Sequence, residues 1–498
     1  MAALKIPPRF TLFLLILLAF LLRLPNLGYS FYGDEMFSLV RDSNHLLTDS
    51  CDRARPLYFS LLFLWRTIGF DGEVGLRLLS VVFGVLSVPL AWTIGHRIGG
   101  RGFAIGYSLL LATSPLHVEF SQELRMYSLI ALASFAQLAC YMHYRESGRR
   151  SALVFGTLAG LVGMYSHPFY CFYLLGFALL ALLDRHTIRL MPFGISLFAI
   201  ALLYLPNVAN FFWLQSTFDV GFFQLHLLSV LLKLAAAFSV GFNLFRLADL
   251  AQGRGIGWEI LADNRLYVLL CILVFGLLLI GAIRGMTRSD GRFMLYSTTA
   301  LLVFPALVMY GLEIATYKNV VMAKFSIFLL PQALLVFAWG FQKLRLRALQ
   351  IGVGVAYGFL IIAALGHFYT DPVHYGRRSN WRAAAALVQE RAGREVAVVL
   401  IRDWKYYLLD YYGIHSRPYW LLVDSPKNIT DYAPYLREKL AGKREVYYLR
   451  EDDVQNANDP DDLILKTLRE MSAVESTIHY NPRFELYHFR LAASYVDS

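Results

Sequence analysis

What most constrains this chain is the recurrence of long apolar runs, from "RFTLFLLILLAFLLRL" near the N-terminus to "IGVGVAYGFLIIAALGHFY" before residue 370. A helix needs about 20 apolar residues to cross the hydrocarbon core of a bilayer. Its backbone N–H and C=O groups find no water there, so a run of that kind is read as a helix. Runs at 10–27, 76–96, 102–116, 127–143, 151–166, 168–183, 189–206, 266–284, 293–311, 325–342 and 349–369 predict eleven spans, or thirteen if two further apolar segments also cross. Tilt or local mismatch accommodates the shorter ones. Composition agrees, since 57% of residues are hydrophobic and only 16% charged, against about 25% charged in soluble domains. The predicted class is a polytopic α-helical membrane protein.

Loop charges give the orientation. Arginine and lysine gather in alternate connections: Lys5 and Arg9, "HRIGGR" (Arg97, Arg101), "YRESGRR" (Arg145, Arg149, Arg150), "DRHTIR" (Arg185, Arg189), "RGMTRSDGR" (Arg284, Arg288, Arg292) and "QKLRLR" (Lys343, Arg345, Arg347). Basic loops stay cytoplasmic, so the N-terminus is predicted inside and the intervening loops outside. The formal charge of +10 is thereby explained without nucleic acid, for which a basic block or groove-reading motif is missing. Residues 57–70 and 226–246 are apolar, but counting either one alone as a span reverses the later charge pattern. Both are read as interfacial helices on the outer side. The N-terminal run continues through Leu22 without a small-residue cleavage site and is read as a retained first span. Cys140, Cys171 and Cys271 fall inside apolar runs and Cys51 in a loop, which argues against a disulfide framework.

Composition changes after Tyr369. Short β-like runs, "EVAVVLI" (395–401), "EVYYLR" (445–450) and "RFELYHFRL" (483–491), alternate with helical patterns such as "WRAAAALVQERAG" (381–393). This predicts a small α/β domain. The division expected is 1–375 for the membrane domain, with an outer loop and interfacial helices at 28–75, and 376–498 for an extracytoplasmic α/β domain.

Four polar clusters stand out in the outer loops, where polarity beside a membrane is informative. Asp34 and Glu35 in "YGDEMFSL" lie among Tyr29, Phe31, Tyr32, Met36 and Phe37. Ordinary loop solvation accounts for most acidic pairs, but apolar neighbours can raise a carboxylate's pKa and make it a general base. "SPLHVEFSQELRMYSL" holds His117, Glu119, Glu123, Arg125 and Tyr127. On a helix Glu123 and Tyr127 share a face. Snorkelling explains Arg125 and Tyr127 but not the glutamates and histidine beside them, and an arginine there suits a phosphate. "YSHPFY" places His167 in a tight turn, where a structural hydrogen bond is the plainer role. "EIATYKNVVMAKF" carries Lys318, read as solvated, and Lys324, which opens an apolar span. The formal sequon at Asn428 is of a kind that arises often by chance. GxxxxGK[ST], HExxH, paired CxxC and a strand–turn–helix GxSxG are missing, which leaves ATP-driven transport, zinc proteolysis and serine hydrolysis without support.

Taken in order, "YGDEMFSL", "RPLYFSLLFLW", "GEVGLRLLSVVFG", "SPLHVEFSQELRMYSL", "YSHPFY" and "YLPNVANFFWLQ" resemble the bacterial glycosyltransferases related to protein O-mannosyltransferases, including lipid A aminoarabinose and galacturonic acid transferases. The resemblance covers roughly residues 10–380, with "NWRAAAALV" opening the C-terminal domain as it often does in that group. It implies a GT-C fold in a bacterial inner membrane, with its site on the periplasmic side. It also implies transfer of a sugar from a polyprenyl-phosphate donor to an acceptor hydroxyl of a glycolipid such as lipid A, a glycan or a protein. Asp34 matches the expected catalytic base, Glu35 completes the family's acidic pair, and Arg125 matches an arginine expected near the donor phosphate or the acidic pair. Where members often carry Arg-Tyr, this chain has Lys324-Phe325, which keeps the charge and loses the bidentate geometry. The candidate set is therefore Asp34, Glu35 and Glu123 for catalysis, and Arg125, Tyr127, Lys324, Lys318 and His167 for the phosphate. Two carboxylates and a histidine can also hold a divalent cation, although the spacing is not diagnostic. The competing class is a lipid or sugar transporter or flippase, which usually places charges near the bilayer midplane in repeated, broken helices; no such repeat is visible in this sequence.

Overall fold

The computed structural model describes residues 7–39, 54–210, 212, 227–241, 244, 264–316, 320–372, 379–391, 396–401, 406–413, 420–423, 433–451, 462–481 and 484–493. Lys318, Cys51 and the sequon at Asn428 lie outside them. The chain divides into two units, Met1–Leu27 with Arg41–Thr370, and Gly28–Val40 with Asp371–Ser498.

The first unit is helical, and every stretch expected to span falls on a helix: Pro8–Leu21, Gly72–Thr113, Tyr127–Ser147, Arg150–Ser166, Tyr170–Leu183, Leu190–Tyr204, Arg265–Met286, Arg292–Thr298 with Phe304–Thr316, Leu330–Lys343 and Arg347–Thr370. Gly72–Thr113 serves two of these stretches. Gly99 and Gly100 leave helical geometry, Gly100 at φ +72°, inside the basic "HRIGGR" connection. Such a positive φ is open to glycine at no steric cost. Among the described residues, five helical stretches are long and apolar enough to cross a membrane: Gly72–Thr113, Leu190–Asn210, Arg265–Met286, Ser289–Thr316 and Arg347–Thr370. They carry exposed apolar side chains such as Leu266, Ile272, Val355 and Ile362, as lipid-facing helices do. The first helix ends at Leu21 rather than near residue 27. Arg23 follows it, and a buried guanidinium needs hydrogen-bond acceptors that a continuing helix would have kept for itself. The two segments read as interfacial are helical at Pro56–Thr67 and Leu227–Ser239.

Helices Arg265–Met286 and Leu330–Lys343 cross at glycines. A Cβ on Gly340 would stand 2.0 Å from the Leu278 carbonyl oxygen, and one on Gly281 2.5 Å from that of Gly340.

The second unit is a five-stranded mixed sheet of order β2-β1-β3-β5-β4, with β1 Val396–Ile401, β2 Trp420–Val423, β3 Glu445–Glu451, β4 Ser472–Asn481 and β5 Phe484–Leu491. The first three are parallel, and β5 runs antiparallel to β3 and β4. Val399, Val446, Tyr448 and Phe489 pack with Leu436, Leu440, Ile464 and Leu468 from two helices to form its core. Residues 28–40, expected with the membrane helices, group here instead. Their hydrogen bonds explain why: Ser30 Oγ donates to the Ser379 carbonyl at 2.7 Å and accepts the Trp381 amide at 3.1 Å. The Phe31 amide donates to Tyr412 Oη at 2.7 Å, and Arg382 donates to the Gly28 carbonyl at 2.8 Å. Trp381, the first residue of the "WRAAAALV" helix, is fully buried against Phe484, with ring centroids 4.7 Å apart.

The glycine crossing gives a direct test. Gly340→Ala should lower the thermal midpoint in detergent, because backbone cannot yield as a side chain can and overpacking costs about 1–3 kcal/mol. Gly276→Ala, on the same helix pair but with nothing within 4 Å of the added carbon, should be neutral; equal midpoints for the two variants would refute the crossing.

Candidate active site

One buried arginine organises the chain on the way to the site. Arg23 is wholly inaccessible and donates to the Ala19 carbonyl at 2.7 Å, the Ala112 carbonyl at 3.1 Å and His117 Nδ1 at 2.7 Å. An arginine has no acceptor to offer, so His117 must accept at Nδ1 and carry its proton on Nε2. Burial first, and then the Arg23 charge, hold His117 well below its ordinary range. His117 is thus a structural partner that ties the Pro115–Ser121 helix to two others.

That helix stops at Ser121, and the next begins at Tyr127. The expectation that Glu123 and Tyr127 share a helical face is therefore corrected: they lie on either side of a break. Inside it the Arg125 amide folds back to the Glu123 carbonyl at 2.7 Å, and a hydrogen bond spanning two residues is incompatible with helix. The whole of 114–130 is buried, glutamates included, so the stretch read as an outer loop is packed inside the protein. Tyr127 packs its ring on Phe120 at 5.0 Å. The Arg125 guanidinium lies 5.7 Å from the Phe59 ring, while Ser80 Oγ, 2.9 Å from Tyr58 Oη, donates to the Arg125 carbonyl at 3.3 Å. The Pro56–Thr67 helix supplies both aromatic partners.

His167 sits at the tight turn between Arg150–Ser166 and Tyr170–Leu183. Its Nδ1 accepts the Phe169 amide at 3.2 Å, so the neutral ring again carries its proton on Nε2. That nitrogen is buried and has no hydrogen-bond partner among the described residues. The ring lies 5.0 Å from those of Phe169 and Phe325. Burial, followed by the charges of Arg55, Arg125 and Lys324, keeps His167 well below its ordinary pKa. The charges of three cations from three separate loops are thus felt at one neutral donor. Lys324 is half-buried, with Nζ 5.3 Å from the Phe325 ring centre.

Arg55 was missed from the sequence. It stands in "RPLYFSLLFLW" just before the helix, where it reads as an ordinary basic flank. Its place is set from a distance: Asn207 Nδ2 donates to the Ala54 carbonyl at 3.3 Å and to Tyr204 Oη at 3.1 Å. Tyr204 and Asn207 both come from "YLPN", so that motif's polar residues were the available signal.

The two adjacent carboxylates part company in the second unit. They open a 3₁₀ turn, Gly33–Ser38. Glu35 is fully buried and accepts the Tyr32 amide at 3.3 Å, capping its own turn. Asp34 is half-buried and keeps access to solvent. Among the described residues no group of three or more His, Cys, Asp or Glu side chains is placed to hold a metal ion, so the divalent cation considered from the sequence has no fitting ligand set there.

No protein-family model matches the chain, and no curated protein matches it. Solved structures do. ArnT from Cupriavidus metallidurans in the apo state superposes with a TM-score of 0.56 at 9% identity, covering 98% of each chain. The Archaeoglobus fulgidus oligosaccharyltransferase tethered to an acceptor peptide superposes with a TM-score of 0.51 at 13% identity, covering 98% of this chain and 74% of that one. Both are GT-C glycosyltransferases. The chain has the GT-C fold. At these identities the likeness is one of fold, and within this GT-C framework the roles of Arg55, Arg125, His167 and Lys324 rest on their own chemistry.

The His167 environment has a spectroscopic consequence. In ¹⁵N-histidine spectra of the purified protein, the signal lost in His167→Gln should be a neutral Nε2–H tautomer that persists when the pH falls below 6.5. A signal that titrates with the ordinary histidine pKa would contradict the buried, cation-ringed site.

Proposed function

We propose that the protein is an integral membrane glycosyltransferase that moves a sugar from a polyprenyl-phosphate donor to an acceptor hydroxyl on the outer face of a bacterial inner membrane. The observation that supports this reading is the buried, neutral His167, whose Nε2–H has no partner among the described residues and which feels the charges of Arg55, Arg125 and Lys324. A phosphate oxygen would accept the orphaned His167 Nε2–H, and hydrogen bonds from charged donors to phosphate are about twice as strong as neutral ones. A lipid-linked phosphate fits because its tail can remain in hydrocarbon, at about 0.8 kcal/mol per buried CH₂, while its head enters the polar cluster. The GT-C fold supports sugar transfer as the reaction class.

In the proposed reaction the bond between the anomeric carbon and the phosphate oxygen breaks, and the acceptor oxygen bonds to that carbon from the opposite face. The acceptor proton passes to a carboxylate base, the role that the sequence resemblance implies for Asp34. Polyprenyl phosphate leaves with the bonding electron pair, and the configuration inverts. The three cations stabilise the charge that grows on the leaving oxygen, and His167 Nε2–H donates to it without adding charge. Glu35 keeps Asp34 in place through the capped turn, and Glu123 orients the arginine segment. Lipid A or another glycolipid, a glycan, or a protein could each supply the hydroxyl.

The test is transfer from a panel of polyprenyl-phosphate sugars, read as release of polyprenyl phosphate by the purified protein. Wild type should release it with at least one donor. Asp34→Asn should lower turnover by about a hundredfold or more, since a general base contributes about 10²–10⁴, with an unchanged thermal midpoint. Full activity in Asp34→Asn removes that residue from the role of base, and no release with any donor removes the reading itself.

A further inference from the structure

Glu313 stands four residues before Tyr317 in "EIATYKNVVMAKF" and has no part in the reaction above. It is 3% exposed, and burying a carboxylate is costly unless it is fully bonded. One oxygen, Oε2, accepts two consecutive backbone amides, Val320 at 2.9 Å and Val321 at 2.7 Å. Lys233, on the Leu227–Ser239 helix, lies close enough to feel its charge. The segment beyond Val321 shows what the carboxylate holds.

From the capped amides onward the chain is tied by a series of linked backbone hydrogen bonds. The Met322 amide donates to the Val320 carbonyl at 3.1 Å, and the Phe325 and Ser326 amides donate to that of Met322 at 3.0 and 2.9 Å. The Leu329 amide donates to the Ser326 carbonyl at 2.9 Å. Val320 itself is buried. The peptide from 320 to 329 is thus one hydrogen-bonded piece, anchored at its start by Glu313 and carrying Lys324 and Phe325 in its middle. Phe325 packs on the His167 ring at 5.0 Å, Lys324 Nζ lies 5.3 Å from the Phe325 ring centre, and the Lys324 charge is felt at His167.

We propose that Glu313 is a positioning residue whose carboxylate clamp on the 320 and 321 amides sets where Lys324 and Phe325 stand at the anion site. This rests on reading the Arg55, Arg125 and Lys324 cluster as an anion site, but the clamp has its own readout. Loss of the carboxylate loosens the tied segment at its anchored end. Lys324 then samples positions away from His167, and the anion loses one of its three cations without any change in the other two. Glu313→Gln keeps the shape and one acceptor oxygen while discarding the charge, so it should fall between wild type and Glu313→Ala.

The test uses full-length protein in detergent. The rate at which an amine-acetylating reagent modifies Lys324 is followed by peptide mass spectrometry, and binding of undecaprenyl phosphate is measured by native mass spectrometry. Glu313→Ala should change the Lys324 modification rate severalfold, with Lys343 unchanged, and weaken undecaprenyl phosphate about tenfold. In a Lys324→Gln background the same substitution should cost no more than about twofold in binding, because coupled residues are not additive. An unchanged Lys324 rate in both Glu313→Ala and Glu313→Gln overturns the clamp, as does a binding loss of equal size in both backgrounds. If wild type does not bind undecaprenyl phosphate, the anion-site reading fails while the acetylation arm still judges the clamp. Glu313→Gln serves the same comparison should Glu313→Ala not fold.

Discussion

A guanidinium with no access to solvent must find acceptors inside the protein, and Arg23 finds its own in Ala19, Ala112 and His117. Three helices are committed by that choice. The first must end early enough to release Arg23, the long Gly72–Thr113 helix must offer its last carbonyls, and the short Pro115–Ser121 helix must turn its histidine inward. Gly84 keeps the space open, since a Cβ there would stand 2.2 Å from Ser121 Oγ and 3.0 Å from Arg23 Nε. The break that delivers Arg125 comes directly after the end of the helix so fixed. A buried charge is weak evidence for stability, but here it fixes geometry.

The second buried charge cluster has the opposite character. Around Arg23 a cation is met by neutral acceptors, whereas around His167 three cations meet a neutral donor. One arrangement is closed, and the other leaves the His167 Nε2–H without an acceptor among the described residues. The tautomers express the same contrast: both rings carry the proton on Nε2, His117 because an arginine claims Nδ1 and His167 because its own loop amide does. Glu313 shows how such a cluster is held from outside, by fixing the backbone that brings Lys324 in.

Much of this was legible in the sequence because hydrophobic length and loop charge are strong signals in membranes. Each expected span lies on a helix, and the strands at 396–401, 445–451 and 484–491 agree with their β-like runs. The strands Trp420–Val423 and Ser472–Asn481 went unread, the first because four residues carry no period and the second because an exposed edge strand carries little hydrophobic pattern. Arg125, His167 and Lys324 were nominated from their chemistry, and Phe325, next to Lys324, packs on the His167 ring. Arg55 was not, because its placement depends on Asn207, more than a hundred residues away. The Glu123–Tyr127 pairing failed because periodicity does not reveal a two-residue turn that breaks a helix. Asp34 and Glu35 were separable only by burial, which adjacent residues in a 3₁₀ turn divide between them.

The central claim is that Arg55, Arg125, Lys324 and His167 form a lipid-phosphate site, and the location of a bound phosphate tests it most directly. In an experimental structure of the full-length protein with undecaprenyl phosphate, the account predicts the phosphate within hydrogen-bond reach of His167 Nε2 and at least two of the three cations. A phosphate bound elsewhere, with those four side chains untouched, would contradict it.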